Sequence, residues 1–375
     1  MSDGAERPPT FFQRYLLPGL AFKAVVIGGG YATGRELAEF FLPSGPWGGI
    51  VAMLLATIIW SAVCVVTFVF ARATGARDYR SFFQALLGRG WIIFELAYIL
   101  FVILILAVFG AAAGAIGEAT LGWPKIAGTL CLMAAIALFA TFGNTSVERL
   151  FKYVTFLLYG VYLIFVVLAL STFGDRVVAN FAAPTPSDGW ALGGLTYASY
   201  NIIGAIVILP VVRHMTSDRD AIVAGLIAGP VAMLPALLFF ICMVAYYPGI
   251  SDEILPSDFL LARLDQPMFH LLFQLMIFSA LLETGTGAVH AINERVAKAW
   301  QIRRNQALGS RARLGIALAL LVGCMFLADR FGLVALIANG YRALAWIFLA
   351  VYVLPLMTLG LWRLLYRRPD LMEAA

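Results

Sequence analysis

Gly28-Gly29-Gly30-Tyr31-Ala32-Thr33-Gly34-Arg35-Glu36 lies in the middle of the first long apolar segment, which begins near Phe11 and ends near Pro43. Glycine is a poor choice for a helix interior, each one costing about 1 kcal/mol against alanine. In the hydrocarbon core of a membrane, freed backbone N–H and C=O groups have no water to bond. A broken stretch therefore survives only where it lines a cavity or is buried in protein. A helix interrupted at mid-membrane depth marks a transport site, because half-helix N-termini attract anions and unwound carbonyls bind cations. The alternative is close helix packing, since Gly30 and Gly34 form a small-xxx-small pair.

The rest of the chain favours the transport reading. Its 375 residues are 62% hydrophobic and 13% charged, with mean hydropathy +0.90. That composition predicts a polytopic membrane protein. The net charge of +5 sits in short loops between spans, so it reads as a topology signal and not as a nucleic-acid footprint. Cys64, Cys131, Cys242 and Cys324 each fall inside an expected span, lack metal-ligand spacing, and read as small apolar residues. A cleavable signal is not expected, because the first span is long and carries Lys23, Arg35, Glu36 and Glu39.

At ~20 residues per crossing, the pattern predicts about ten transmembrane helices. The expected spans are Gln13–Phe41, Trp47–Ala71, Trp91–Glu118, Lys125–Phe142, Leu150–Phe173, Trp190–Val212, Ala221–Tyr246, Phe269–Trp300, Leu314–Leu327 and Leu333–Leu365. Arginine and lysine crowd one set of loops, including Arg72, Arg77, Arg80, Arg89, Arg149, Lys152, Arg213, Arg219 and the run Arg295 to Arg313. The other set holds Lys125, Arg176, Arg263 and Arg330. This asymmetry places both termini in the cytoplasm.

The two halves echo each other. Residues 13–173 and 190–365 each read as a five-helix repeat, joined by an extracellular connection at 174–189 and flanked by cytoplasmic tails at 1–12 and 366–375. The stretch from Ser199-Tyr200-Asn201 to Pro210 is the counterpart of the glycine stretch. Amphipathic segments, Arg80 to Leu87 and Ile254 to Leu264, recur at matching places. Five spans is an odd number, so the second half is inverted. An all-α 5+5 inverted repeat with spans one and six broken is the architecture of a secondary transporter.

The glycine motif with Phe40-Phe41, together with Tyr200-Asn201, Thr284-Gly285-Thr286-Gly287, Glu294-Arg295 and Asn339-Gly340-Tyr341, resembles the YkvI-like membrane proteins. These are similar to the LeuT-type fold of the amino acid–polyamine–organocation superfamily. Arg35 departs from the family's usual glutamine. The resemblance implies a moving bundle of spans one, two, six and seven, a scaffold of three, four, eight and nine, and gating arms five and ten. It also implies that substrate lies between the breaks in spans one and six.

On that basis the candidate substrate groups are Gly28, Gly29, Gly30, Tyr31, Thr33, Ser199, Tyr200 and Asn201, with Tyr98 of span three closing over them. Intramembrane ionisable residues are functional candidates by default. Lys23 and Glu283 form a candidate ion-coupling pair, against snorkelling of Lys23 or a structural Lys–Glu tie. Thr284 and Thr286 hydroxyls with the Gly28 carbonyl could hold Na⁺, as LeuT-type sodium transporters imply, because hard cations want such oxygens. Such threonines also bond back to their own helix. Arg35 is a gating candidate, pairing with a substrate carboxylate, with Glu118, or with Glu39 at i, i+4.

The expected activity is ion-coupled transport of a small polar organic solute, amino-acid-like or otherwise zwitterionic, by alternating access in a bacterial-type plasma membrane. The coupling ion is the proton, or alternatively sodium. A membrane ligand sensor of the same fold is the second reading. The sequence shows no metal cluster, no nucleophile elbow and no Walker loop, so neither an enzyme nor a cofactor is expected.

Overall fold

The computed structural model describes residues 9–142 and 145–366. Residues 1–8 and 367–375 of the two expected tails lie outside the described residues, as do the side chains of Arg149 and Lys152. All regular structure among the described residues is helical.

A π-helical turn (Phe12–Leu16) leads into α1 (Leu17–Val26), which stops where Ile27 turns to ψ 89°. One helical turn follows, α2 (Gly29–Ala32), before Gly34 at φ 78° and α3 (Arg35–Phe40). The glycine stretch thus breaks the helix twice. Gly34 sits in the left-handed region that glycine adopts without steric cost. A Cβ there would also lie 2.6 Å from the Phe239 ring.

The first half continues with α4 (Gly45–Ala73), α5 (Tyr79–Leu87), α6 (Trp91–Leu121), α7 (Lys125–Phe142) and α8 (Thr145–Ala182). Asp78 caps α5 by accepting from the Arg80 and Ser81 amides, the arrangement that satisfies orphan N–H groups at a helix start. The second half begins with α9 (Trp190–Asn201) and α10 (Ile203–Val207), then a 3₁₀ turn at Leu209–His214. There follow α11 (Asp218–Val244), α12 (Pro256–Arg263), α13 (Pro267–Arg304), α14 (Ser310–Ala335), α15 (Arg342–Phe348) and α16 (Leu361–Tyr366). Ser217 and Asp220 form a capping box at the start of α11.

Among the described residues, six helical stretches are long and apolar enough to cross a membrane. One of them, Ser310–Tyr366, has 57 residues, about 85 Å as a straight helix and far more than one bilayer. It bends at Gly332 (φ 71°, ψ 169°), which divides it into two arms. Exposed Leu54, Ile58, Leu96, Leu163 and Phe326 give the outside an apolar face.

Three boundaries differ from expectation. Helix α8 runs on to Ala182, so half of the expected 174–189 connection is helix. Its end is tied by Asn180, which donates to the Val244 carbonyl at 2.7 Å. Helix α13 continues to Arg304, past the expected end at Trp300. The interruption of span six is milder than that of span one. Ile202 stays helical (φ −62°, ψ −18°), and the chain leaves the α-helix only at Ile208. No glycine triplet weakens the helix there, and the Ser199 and Asn201 side chains bond back to Leu195 and Tyr197 carbonyls.

The helices pack as two groups. Helices α1, α4, α9, α10 and α11 contact one another, with α4 against α11 as the heaviest pairing. Helices α6, α7, α13 and α14 form the second group. Small residues bring the backbones together, as in membrane helix pairs generally. A Cβ on Gly225 would lie 2.5 Å from the Val65 amide nitrogen, and one on Gly194 would lie 2.5 Å from the Ala52 carbonyl. In the second group, Gly114 packs on the Lys125 carbonyl in the same way.

Candidate functional site

Glu36, in the first turn of α3, is 2% exposed. Its carboxyl accepts a hydrogen bond from the Tyr200 hydroxyl at the end of α9. The backbone amide of Tyr31 faces the same carboxyl. The chain reverses enough at Gly34 to fold Glu36 back over Gly30, whose absent Cβ would lie 2.7 Å from the Glu36 Cγ. The glycine at 30 thus makes room for a buried carboxyl.

Gly28, Glu36, Phe101, Tyr200, Asn201 and Tyr341 line a cavity of about 10 Å³, closed further by aliphatic side chains. That is room for about one water. The Tyr200 and Tyr341 rings lie 4.5 Å apart between centroids at 30°. The cavity therefore lies where span one is broken, between the two helix groups and against the span-ten arm.

Of the expected substrate residues, Gly28, Tyr200 and Asn201 come together here. Tyr31 points to the other side of the break, where its ring borders a small apolar cavity with Tyr159 and Tyr162. The Thr33 hydroxyl donates to the Gly30 carbonyl at 3.1 Å and so braces the break. Ser199 donates to the Leu195 carbonyl at 2.6 Å. Gly29 opens α2. Tyr98 does not reach the cavity. It stacks on Tyr79 at 5.9 Å and 8°, under the Arg295 guanidinium. Phe101, one turn further along α6, takes the wall position instead.

The expected ion pairs are different in the structure. Lys23 is 7% exposed, and its ammonium lies 3.7 Å from the Tyr159 ring centroid, a cation–π contact. No ion pair within 4.0 Å joins it to Glu283. Among the described residues the Thr286 hydroxyl is buried without a partner, and the Gly28 carbonyl accepts from the Ala32 amide at 2.9 Å. Thr284 is half-buried on the same helix.

Arg35 does not pair with Glu118, which instead meets Lys125 at 3.3 Å. The Arg35 guanidinium donates to the carbonyls of Ser251 (2.7 Å) and Glu253 (2.9 Å) and to Glu39 (2.9 Å). Glu39 also lies 3.7 Å from Arg342 of the span-ten arm. The Ser257 amide, at the start of α12, donates to the Thr33 carbonyl at 3.0 Å. The segment 251–257 is thereby laid over the outer end of the break, so the guanidinium is occupied on the protein's own groups.

Sequence reasoning passed over Glu36, Phe101 and Tyr341 as site residues. The signal for Glu36 was present: an acidic residue mid-span, inside the glycine motif itself. Gly30→Leu is expected to push the Glu36 carboxyl off Tyr200 and abolish solute binding while the protein still inserts and folds. Binding assays on purified protein check this, and unchanged affinity would separate the break from the site.

A helical membrane chain with a twice-broken first helix and a buried polar centre at the break has the LeuT-type fold, and the solved structures it matches bear this out. The chain is similar to MhsT in complex with L-phenylalanine, with TM-score 0.57, 15% identity and 98% of each chain covered. It is also similar to a Na⁺-coupled sialic acid symporter in a substrate-bound outward-open state, with TM-score 0.61 and 14% identity over 90% of this chain and 79% of that one. The inward-facing conformation of Mhp1 matches with TM-score 0.54 and 16% identity over 93% and 79%. By sequence, the chain is similar to the uncharacterized membrane protein YkvI of Bacillus subtilis (strain 168). They are 26% identical over 288 residues, 74% of this chain and 80% of that protein. No family model matches.

Proposed function

We propose that this chain is an ion-coupled secondary transporter of a small polar organic solute, working by alternating access in a bacterial-type plasma membrane. Its ten spans form a 5+5 inverted repeat with both termini cytoplasmic. It is a carrier and not an enzyme. One observation supports this most: the twice-broken first helix buries a carboxyl and a phenol in a cavity between two separately packed helix groups. Rocking of one group against the other would expose that cavity to each side in turn. The solved structures of similar fold include a Na⁺-coupled symporter and a protein bound to L-phenylalanine, which favours a small organic solute. Accumulation in proteoliposomes tests the reading. Saturable binding without accumulation would instead make the protein a sensor.

Asn201 borders the cavity, whereas Asn339 is exposed on the span-ten arm. Asn201→Ala is expected to weaken solute binding by on the order of 1 kcal/mol, about fivefold, for one neutral hydrogen bond. Asn339→Ala is expected to leave it unchanged. An equal or reversed ranking in a titration places the pocket elsewhere.

The proposed coupling ion is the proton, carried through Lys23 and Glu283. A buried ammonium with no carboxylate on it among the described residues supports this, because charge in that position is costly unless compensated. A pH gradient without sodium is then expected to drive accumulation, and Glu283→Gln is expected to retain exchange but lose pH-driven accumulation. The unpartnered Thr286 hydroxyl favours a second reading, sodium held by Gly28, Thr284 and Thr286. Sodium-dependent uptake that is lost in Thr284→Ala and kept in Lys23→Met decides for that one.

A further inference from the structure

The central cavity carries one carboxyl, Glu36, and no basic side chain. Arg35 follows Gly34 directly, but its guanidinium is taken by two carbonyls and Glu39. Lys23 lies on Tyr159, outside the cavity lining. A solute carboxylate placed here would meet Glu36 with no cation to offset it. Three of the side chains that line the cavity with Glu36 are aromatic, Tyr200, Tyr341 and Phe101, and the rest of the wall is mostly aliphatic. Rings of this kind attract organic ammonium groups through the negative face of the π system, with quaternary ammonium as the familiar guest. A carboxylate adds a charge-assisted partner for an ammonium N–H.

From this we propose that the solute is a small organic cation, with Glu36 as its counter-charge and the rings of Tyr200, Tyr341 and Phe101 as its walls. This rests on the transporter reading above and narrows its substrate class from a small polar organic solute to an amine or quaternary ammonium. A bare metal ion fits less well. Hard cations take six or more oxygens, and this lining offers one carboxyl, one amide and two phenols among carbon surfaces. The cavity of about 10 Å³ is smaller than any such guest. Entry therefore requires the Tyr200 hydroxyl to leave Glu36, which the ammonium then takes over.

The test uses the purified full chain in lipid nanodiscs and isothermal titration. Choline and ethanolamine are each compared with an uncharged isostere, 3,3-dimethyl-1-butanol and 1-propanol, and with alanine and acetate. At least one of the two cations is expected to bind saturably, and at least tenfold more tightly than its isostere. E36Q is expected to weaken that binding at least tenfold. If E36Q does not fold, the isostere comparison in the unaltered protein decides alone. Failure of both cations to bind, equal binding by an isostere, or preference for alanine or acetate overturns the inference. Those outcomes leave the transporter reading standing, which falls separately if proteoliposomes accumulate no solute of any class.

Discussion

Gly225→Leu is expected to lower the stability of the folded protein by about 3 kcal/mol or more, beyond the usual range for overpacking. The Cβ alone would lie 2.5 Å from the Val65 amide nitrogen and 2.6 Å from its Cα. Backbone cannot rotate away as a side chain can. The two longest contacting helices of the first group, α4 and α11, would have to separate. A Cβ on Gly229, one turn on, would lie 2.5 Å from the Thr57 carbonyl, so the contact has no slack on either side. Gly323 provides the control. It lies inside α14 with nothing within 4 Å of its Cβ position. Gly323→Ala is expected to stabilise by up to about 1 kcal/mol, through helix propensity and a less flexible unfolded chain. Thermal unfolding of both variants in micelles checks the pair, and similar melting temperatures would show that the α4–α11 contact is looser than the geometry indicates.

The fold was legible because its strongest signals are local. Glycine in a mid-membrane helix has an energetic meaning that a reader of the sequence shares with the chain, and the span ruler needs only hydropathy. The site was legible in part. Glu36, Glu39 and Glu283 look alike as acidic residues in apolar surroundings. Which of them turns inward depends on Gly34, whose positive φ resets the phase of α3 relative to the helix before it. No periodicity runs through such a residue. Tyr98 and Phe101 share a face of α6 and differ in depth by about 4.5 Å. Hydropathy fixes a span's depth no better than that. The surroundings of Lys23 were illegible for a different reason: the Tyr159 ring under its ammonium comes from another helix, 136 positions along, and only packing brings it there. The grouping of α4 with α11 is tertiary in the same sense. Its mark in the sequence is a run of small residues in α11 that equally suits any close neighbour.

Arg35→Ala is expected to loosen the outer closure of the site. In the structure this guanidinium is 7% exposed at the side chain and holds three partners from two segments, the carbonyls of Ser251 and Glu253 and the Glu39 carboxylate. Its removal leaves Glu39, itself 17% exposed, with Arg342 at 3.7 Å as its one ion-pair partner among the described residues. Breaking one partner out of a buried charge pair costs on the order of 3–5 kcal/mol. Here the cost divides between unfolding and a change of conformation, since segment 251–257 can lift away and admit water to Glu39. The expected result is faster hydrogen–deuterium exchange at the amides of 249–263, with little change in α6 and α7 of the other group. Arg35→Lys keeps the charge but not the fork that serves two carbonyls and a carboxylate together. It is expected to fall between the alanine variant and the unaltered protein. Lys giving full protection would mean that charge alone holds the segment. Unchanged exchange in Arg35→Ala would mean that the Ser257 amide on the Thr33 carbonyl is sufficient, and Arg35 would then have no part in closing the outer side.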